Sequence, residues 1–325
     1  MKLTLFVTVG ICVWVAGCSN KTAGSVSVPA PVPHTGKLTQ IEYINPLPSS
    51  AGWNLIGKCM RQEAAKDGIG LRTVGAAGGN VNVQAMTTLL SQAVADRVPA
   101  IAMWSGQGGA AFDQLFAKAR SQGALVATLG SYGATRNQNI SVSTAPSDAA
   151  RALVRAIASR RGHQYVGMIL QSPTGSVYDD QFAAMIKRDA VGYRNVRIVA
   201  IQHNLGKFTD NLPLAEAMMT AHPELTAMFT YGGSSGMPAA IVEMRRVGKV
   251  FGYWNPGDSP ALAVTYAKQG VVGGLGYYDR CTMGRLAVQK LRDAWAGKPV
   301  LANYFMPFGF ISGGQYERVI AAGLL

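Results

Sequence analysis

Short β-type runs alternate with amphipathic helical runs along most of this chain, and that alternation limits its fold more than any other feature. Repeated βα units predict an α/β fold, in which parallel sheets are covered by helices on both faces. So many strands in a chain of 325 residues favour two α/β lobes over one. The predicted strands are LTQIEYI (38–44), LRTVGA (71–76), PAIAMW (99–104), ALVATLG (124–130), YVGMILQ (165–171), VRIVAI (196–201), LTAMFTY (225–231), KVFGYW (249–254) and VVGGLGYY (271–278).

The segment VNVQAMTTLLSQAVADRV illustrates the helical runs between these strands. Asn82 is a suitable N-cap for it, and Pro146 and Pro213 mark the starts of two later helices, where a proline costs little. Apolar side chains recur at helical spacing in this segment, at Val83, Met86, Leu90, Val94 and Val98.

Residues 1–18 predict a lipoprotein signal peptide. Lys2 precedes an apolar run that is short for a membrane span, and the run ends in Val15-Ala16-Gly17-Cys18. Small residues before a cysteine resemble a bacterial lipobox, so we expect cleavage before Cys18 and a lipid anchor on it. The alternative is an ordinary signal peptide with a chance cysteine.

Residues 19–37 are rich in Ser, Pro and small residues, which predicts a flexible tether between the lipid and the folded part. The protein is therefore expected outside the cytoplasm, in the periplasm or at the cell surface. Ser19 resembles the outer-membrane sorting signal of Gram-negative lipoproteins, and the choice between inner and outer membrane stays open.

The formal charge of +13 raises the possibility of an anionic partner. The basic residues are scattered, however, and the densest pairs are only 160–161 and 245–246. A nucleic-acid-binding protein would show a clustered basic stripe, so we expect no nucleic-acid partner. Dispersed positive charge favours solubility and weak attraction to anionic lipid surfaces.

Two cysteines, Cys59 and Cys281, lie in the predicted mature domain beyond the lipidated Cys18. In an oxidising compartment they could form a disulfide or lie buried as separate small apolar side chains. Sequence does not give their separation, and the buried alternative is favoured here. Their spacing is not that of metal ligands, and we expect neither a metal nor a cofactor.

Several segments, taken in order, resemble landmarks of the type I periplasmic binding proteins, the solute-binding proteins of sugar ABC importers. The closest likeness is to the ribose-, rhamnose- and autoinducer-2-binding branch, from SPT and from the GYYD stretch at 276–279. The segments are GWNLIGKCMRQEAAKDG, QAVADRVPAIAM, ILQSPT, AHPELTAMFTYGGSSGMPAAI and GLGYYDRCTMGRLAVQKLRDAWAGKPV.

This resemblance implies two Rossmann-like lobes joined by three hinge crossings, with the ligand enclosed between them. We expect crossings near 140–145, 276–281 and 304–311. The N-terminal lobe would comprise residues 38–142 and 279–305, and the C-terminal lobe residues 143–278 and 306–325.

Ligands of open parallel sheets bind at the carboxyl ends of the strands, facing helix N-termini. Aromatic side chains there can stack on sugar rings while a few polar groups fix orientation. Any single aromatic is better explained by core packing, but their number at strand ends indicates a cleft. The predicted ligand-binding residues are Trp53, Asn54, Trp104, Ser131, Tyr132, Tyr178, Asp179, Tyr231, Gly233, Ser235, Trp254, Asn255, Tyr278, Asp279 and Arg280.

The chain departs from its sugar-binding relatives at two places. They usually carry an aspartate after the fourth strand, where this chain has Leu129-Gly130-Ser131, and often Asp or Asn where it has Gly233 and Ser235. Losing two carboxylates weakens the binding of a polyhydroxylated ligand. We therefore expect a sugar, polyol or sugar-like ligand that is less hydroxylated or more aromatic than a pentose. Arg280 either recognises an anionic group of the ligand or pairs with Asp279 at a hinge.

The stretch GGSSG at 232–236 fits the G-x-S-x-G pattern of a hydrolase nucleophile, with Ser234 as the serine. An α/β-hydrolase places its histidine after the serine. All four histidines of this chain, His34, His163, His203 and His222, precede Ser234. That triad order is therefore excluded, although another order stays open, and we expect a binding loop, not an enzyme.

The resemblance implies a monomer that captures a small molecule and presents it to a membrane permease with its ATPase. The alternative is a lipoprotein of the same fold that acts as a sensor or interaction module.

Overall fold

The computed structural model describes residues 34–76, 78, 81–106, 109–133, 135–170, 177–205, 210–231, 251–255, 260–270 and 272–323. The strands among them form two six-stranded sheets. The first sheet contains β1 (Gln40–Asn45), β2 (Gly70–Gly75), β3 (Ala100–Met103), β4 (Leu125–Leu129), β5 (Ile140–Thr144) and β11 (Asn303–Met306), in the order β11-β5-β4-β3-β1-β2. The second contains β6 (Gln164–Leu170), β7 (Val196–His203), β8 (Ala227–Tyr231), β9 (Phe251–Asn255), β10 (Val272–Tyr277) and β12 (Gly309–Ile311), in the order β12-β10-β9-β8-β6-β7.

Helices connect most of these strands and cover the sheets. Their bounds are α1 (Ala51–Ala65), α2 (Val83–Ala95), α3 (Gly109–Ser121), α4 (Pro146–Ala158), α5 (Val177–Ala190), α6 (Asn211–Ala221), α7 (Pro260–Lys268), α8 (Arg280–Trp295) and α9 (Gly313–Ala321).

Each sheet has an apolar core on both faces, as buried parallel sheets require. On the first sheet, Tyr43 packs with Met60 of α1 and Met283 of α8, and Ile44 on the opposite face packs towards Phe112 of α3. On the second sheet, α4 and α5 cover one face while α6, α7 and α9 cover the other. The two-lobed α/β prediction is confirmed.

The chain passes between the two sheets three times. It leaves the first sheet after Thr144 and returns to it after Tyr277, and it crosses again between Met306 and Gly309. Consequently α8 and β11, although late in sequence, belong to the lobe that the N-terminal residues form. This is the three-crossing architecture that the sequence predicts.

All nine predicted strands are present, with ends that differ by at most two residues from the prediction where both ends are described. Three strands, β5, β11 and β12, were not predicted as strands, although they lie in the predicted crossings. The first is ISVST, where buried Ser141 and Ser143 interrupt the apolar pattern, and the other two are only four and three residues long. The last pairs antiparallel with β10, so the second sheet is not wholly parallel.

Helix starts follow the sequence signals. Asn82 is the N-cap of α2, and its side chain accepts a hydrogen bond from the backbone N–H of Ala85. Pro146 is the first residue of α4, and Pro213 lies in the first turn of α6. Proline, which lacks a backbone N–H, is tolerated at these positions because the first N–H groups of a helix have no intrahelical partner.

Cys59 and Cys281 form a disulfide, which corrects the preference for two separate buried side chains. Each lies on a helix, α1 and α8 respectively, and the two helices pack together across 222 residues of sequence. Both cysteines are buried beside Leu55. Burial alone was foreseeable from their apolar neighbours, but the approach of two helices so distant in sequence was not.

The described part of the chain begins within the predicted tether. The His34 ring stacks on the Trp295 indole at 3.7 Å between ring centres, and Trp295 Nε1 donates to the Gly36 carbonyl oxygen. Packing against the first lobe therefore begins before residue 38, the predicted start of the domain. The predicted signal peptide, Cys18 and most of the tether lie outside the described residues. None of the helices that the structure describes is long and apolar enough to cross a membrane.

Candidate functional site

Trp53 and Trp104 meet at the carboxyl edge of the first sheet. Ser50 caps α1 and fixes its first turn, and the Tyr43 hydroxyl donates to the Trp53 carbonyl oxygen at 3.1 Å. A side-chain carbon built on Gly130 would lie 3.2 Å from Cη2 of Trp53 and 3.8 Å from Cδ1 of Trp104. Trp53 is half-buried, whereas Trp104 is only 7% exposed and packs mainly in the core. Trp53 and Trp104 together form an aromatic wall at this edge, and Trp53 offers the larger accessible face.

Ser131 joins the ends of β3 and β4. Its Oγ accepts a hydrogen bond from the Ser105 backbone N–H at 3.0 Å and lies 2.9 Å from Ser105 Oγ. Both serines are buried. The predicted ligand group is thus held in a structural hydrogen-bond pair.

Asn54 is tied to the loop that follows β1. Its Nδ2 donates to the Pro48 carbonyl oxygen at 2.8 Å, and its Oδ1 accepts from Asn45 Nδ2 at 3.0 Å. Asn45 Oδ1 in turn accepts from the Leu47 backbone N–H. This network orients an exposed amide at the end of the first strand.

Aromatic rings gather at the crossings between the lobes. Tyr132 contacts Phe305 edge-on at 5.0 Å between ring centres, and Phe305 is 49% exposed. Tyr278, at the second crossing, lies 6.2 Å from Phe308 at the third. These pairs place apolar, flat surfaces where the chain passes from one lobe to the other.

Asp279 and Arg280 have different surroundings although they are adjacent. Asp279 is the N-cap of α8, and its two carboxylate oxygens accept from the backbone N–H and the hydroxyl of Thr282 at 2.8 and 2.7 Å. Arg280 is 3% exposed, and its guanidinium carbon lies 4.7 Å from the centre of the Tyr278 ring, a cation–π geometry. Both residues hold the second crossing in place through these contacts.

Two tyrosines of this region, Tyr43 and Tyr277, remain protonated at neutral pH. Burial, and next the nearby Tyr278, raises the pKa of Tyr43 well above its ordinary value of 10.0. Burial, and next Asp279, raises the pKa of Tyr277, against a smaller opposing effect of Arg280. Their hydroxyl groups therefore act as hydrogen-bond donors, as that of Tyr43 does towards the Trp53 carbonyl oxygen.

The strands β8 and β9 of the second sheet end side by side. Tyr231 ends β8 and Asn255 ends β9, and the two residues pair directly, as do Thr230 and Trp254. Asp179 lies in the first turn of α5 and is 4% exposed. The backbone of Tyr178 belongs to the same turn. The side chains of Tyr178, Tyr231, Trp254 and Asn255, and the whole of Gly233 and Ser235, lie outside the described residues.

Two of the four histidines lie at the wrong edge of the second sheet to serve Ser234, whereas His203 ends β7 at the carboxyl edge. His163 directly precedes β6 and His222 precedes β8, so both lie at the amino ends of parallel strands. His222 Nδ1 also lies 3.3 Å from a Glu224 carboxylate oxygen. Ser234 follows the carboxyl end of β8 in sequence and lies outside the described residues. Within the described ranges, no group of three or more His, Cys, Asp or Glu side chains could hold a metal ion.

Sequence reasoning missed three residues of this region. Asn45 ends the first strand, Ser105 directly follows Trp104, and Phe305 lies in the third crossing. The rule that selected Trp104 at a strand end would also have selected Asn45 and Ser105. Phe305 had no such signal, because β11 was not predicted.

A family model described as "Periplasmic binding protein domain" matches residues 41–299. Among solved structures, the chain is similar to GanP, a glucose-galactose binding protein from Geobacillus stearothermophilus, with a TM-score of 0.77, 18% identity and coverage of 86% of this chain and 99% of that one. A carbohydrate transporter solute binding protein from Agrobacterium radiobacter in complex with D-arabinose gives 0.74 and 18%, with coverage of 88% and 98%. The XylFII-LytSN complex gives 0.72 and 15%, with coverage of 86% and 99%. No curated protein shows significant sequence similarity to the chain.

Proposed function

Because the chain belongs to the periplasmic binding protein family, we propose that it captures a small ligand between its two lobes and delivers it to an ABC importer. The observation that carries this proposal is the pair of sheets joined by three crossings, with aromatic residues at their carboxyl ends. Bilobed proteins of this kind close around a ligand by bending at the connecting segments. The closed form then offers a composite surface to a permease and its ATPase.

We propose a sugar, polyol or sugar-like ligand with fewer hydroxyl groups, or a more aromatic ring, than an ordinary pentose. Sugars are the ligands named for GanP and for the Agrobacterium protein. In this chain Ser131 follows β4 and its hydroxyl bonds Ser105, while Trp53 and Tyr132 supply flat surfaces nearby. An aromatic wall binds the apolar face of a ring, whereas carboxylates bind its hydroxyl groups.

In this proposal the protein works outside the cytoplasm as a monomer, held to a membrane by a lipid on Cys18. The apolar run before that cysteine and the small residues at positions 15–17 support the anchor. Capture requires no covalent step, so Ser234 serves as part of a binding loop and not as a nucleophile.

A second candidate is a sensor or interaction module on the same fold. It is favoured by one observation, the likeness to XylFII, whose structure was solved in a complex with LytSN. In that case the closed lobes would be recognised by a partner protein and not by a permease.

Native mass spectrometry of the protein purified without denaturation tests the proposal. We expect a fraction that carries one additional small molecule, and its mass and fragmentation give the chemical class. A matched sample that is unfolded, dialysed and refolded should lack this increment. Bound molecules that survive unfolding, or that are held equally by the Trp53→Ala variant, would argue against capture in the cleft.

A further inference from the structure

A second cavity, of about 500 Å³, lies on the flank of the first lobe between α1 and β2. β2 is the last strand of its sheet and pairs only with β1 among the described strands. A volume of this size lies within the range of small-molecule sites. The groove is lined by Tyr43, Asn45, Asn54, Gly57, Lys58, Arg61, Gln62 and Thr73.

The two flanks of α1 have different partners, and this difference creates the groove. Cys59 and Glu63 face α8, through the disulfide and through a hydrogen bond from Gln289. Arg61 points the other way, and its Nη2 donates to Thr73 Oγ1 on β2 at 3.2 Å. Lys58 lines the same flank.

Gly57 keeps the groove open. A side-chain carbon at this position would lie 2.9 Å from Cε1 of Tyr43. The Tyr43 ring therefore approaches the helix backbone directly and forms the floor. Without a side chain at position 57, the space between Asn54 and Arg61 stays accessible along the helix.

The groove carries uncompensated positive charge. Its lining includes Lys58 and Arg61 but no acidic residue. In the part of the chain that the structure describes, neither cation has a carboxylate within 4.0 Å. On the flank of α1 that faces α8, by contrast, Lys66 lies 2.6 Å from Glu63 and Arg292 lies close to Asp67.

From this geometry we propose that the groove is a second binding site, beside the cleft and bordered by Asn45 and Asn54, for a small ligand bearing carboxylate or phosphate groups. Lys58 and Arg61 lie one helical turn apart and present N–H donors to the same space, and the Gln62 amide adds to them. The bond to Thr73 fixes the guanidinium plane and leaves further N–H groups for an oxyanion. Charge-assisted hydrogen bonds of this kind are about twice as strong as neutral ones.

The test uses the full chain labelled with ¹⁵N, with inorganic phosphate and malonate titrated at constant ionic strength. We expect saturable shifts of the Gly57 and Gln62 backbone amides and of the Arg61 side-chain Nε–H with at least one of the two anions. Saturation by phosphate identifies a phosphate-bearing ligand, and saturation by malonate a dicarboxylate. Shifts that stay linear with both anions would overturn the proposal.

Matched variants separate a site from a general effect of charge. The Lys58→Ala/Arg61→Ala variant should weaken binding roughly tenfold or more. The Lys118→Ala/Arg120→Ala variant removes the same charge from the last turn of α3, on the opposite face of the sheet, and should bind as the wild type does. Equal weakening by both variants, with unchanged circular dichroism, would contradict a built site. Neither pair belongs to the proposed cleft, so the outcome does not depend on the function of the cleft.

Discussion

Cys59 on α1 and Cys281 on α8 are joined by a disulfide, with their Cα atoms 5.2 Å apart. The bond ties two helices that cover the same face of the first sheet. The two cysteines are 222 residues apart in sequence, and the loop between them contains every strand of the second sheet except β12. Because the entropy lost by the unfolded chain grows with the logarithm of loop length, this link restrains it somewhat more than a short loop would.

Removing the disulfide should destabilise the first lobe. We expect Cys59→Ala/Cys281→Ala to lower the free energy of unfolding by about 2–4 kcal/mol, because the unfolded chain regains conformational entropy. Urea denaturation of the variant and of the wild type with and without a reductant measures this. The reduced wild type should resemble the variant, and coincident curves for all three samples would refute the role of the bond.

Asp279 should act mainly as a helix cap. Asp279→Ala removes both acceptors of the Thr282 groups and should cost about 1 kcal/mol of stability. Asp279→Asn keeps one oxygen acceptor and should restore most of that loss. Thermal denaturation checks both variants, with Thr282→Val as a control that loses only the hydroxyl bond. An unchanged melting temperature in Asp279→Ala would exclude the capping role.

Glu63 should make stability dependent on pH. The hydrogen bond from Lys66, and next that from Gln289, lowers the pKa of this glutamate from its ordinary value of 4.5. A lowered pKa in the folded state means that the contribution is complete above pH 4.5 and is lost as the pH falls through the folded-state pKa. Glu63→Gln should therefore be less stable than the wild type at pH 7, and the difference should shrink below pH 4.5. A difference that stays constant from pH 7 to pH 3.5 in urea denaturation would contradict this assignment.

Gly130 should be needed for the aromatic wall. Its φ is +66°, and a side-chain carbon there would approach the Trp53 ring. We expect Gly130→Ala to cost about 1 kcal/mol or more through the left-handed backbone and to change tryptophan fluorescence. Gly162→Ala is the matched control, because its φ is +76° but no atom lies within 4 Å of the added carbon. If both variants give the same fluorescence change, the ring contact is not responsible.

The architecture could be predicted from sequence because buried parallel strands are continuous apolar runs, as in β3 and β4. The strand β5 escaped prediction because its serines are buried, and Ser141 bonds the Ser131 carbonyl oxygen. Tertiary contacts, not local preference, make that segment a strand.

The candidate site was harder to predict, because a residue type does not reveal which partners its polar atoms have. Ser131, Asn54 and Asp279 were selected as ligand groups, and each has hydrogen bonds within the protein. Trp53 on α1 and Trp104 after β3 both lie near Gly130 after β4, so three segments distant in sequence meet there. Such long-range contacts are set by packing and have no local sequence signal.

Isothermal titration of pentoses, deoxyhexoses and aromatic compounds into the wild type and Trp53→Ala most directly tests capture of a less hydroxylated ligand in the cleft. We expect one-to-one binding of a deoxyhexose or an aromatic compound, with affinity roughly tenfold weaker in Trp53→Ala because a ring contact is lost. Tight binding of an ordinary pentose would contradict the proposed ligand class. Equal affinity in both proteins, or no binding by any compound to the folded wild type, would contradict the proposed cleft.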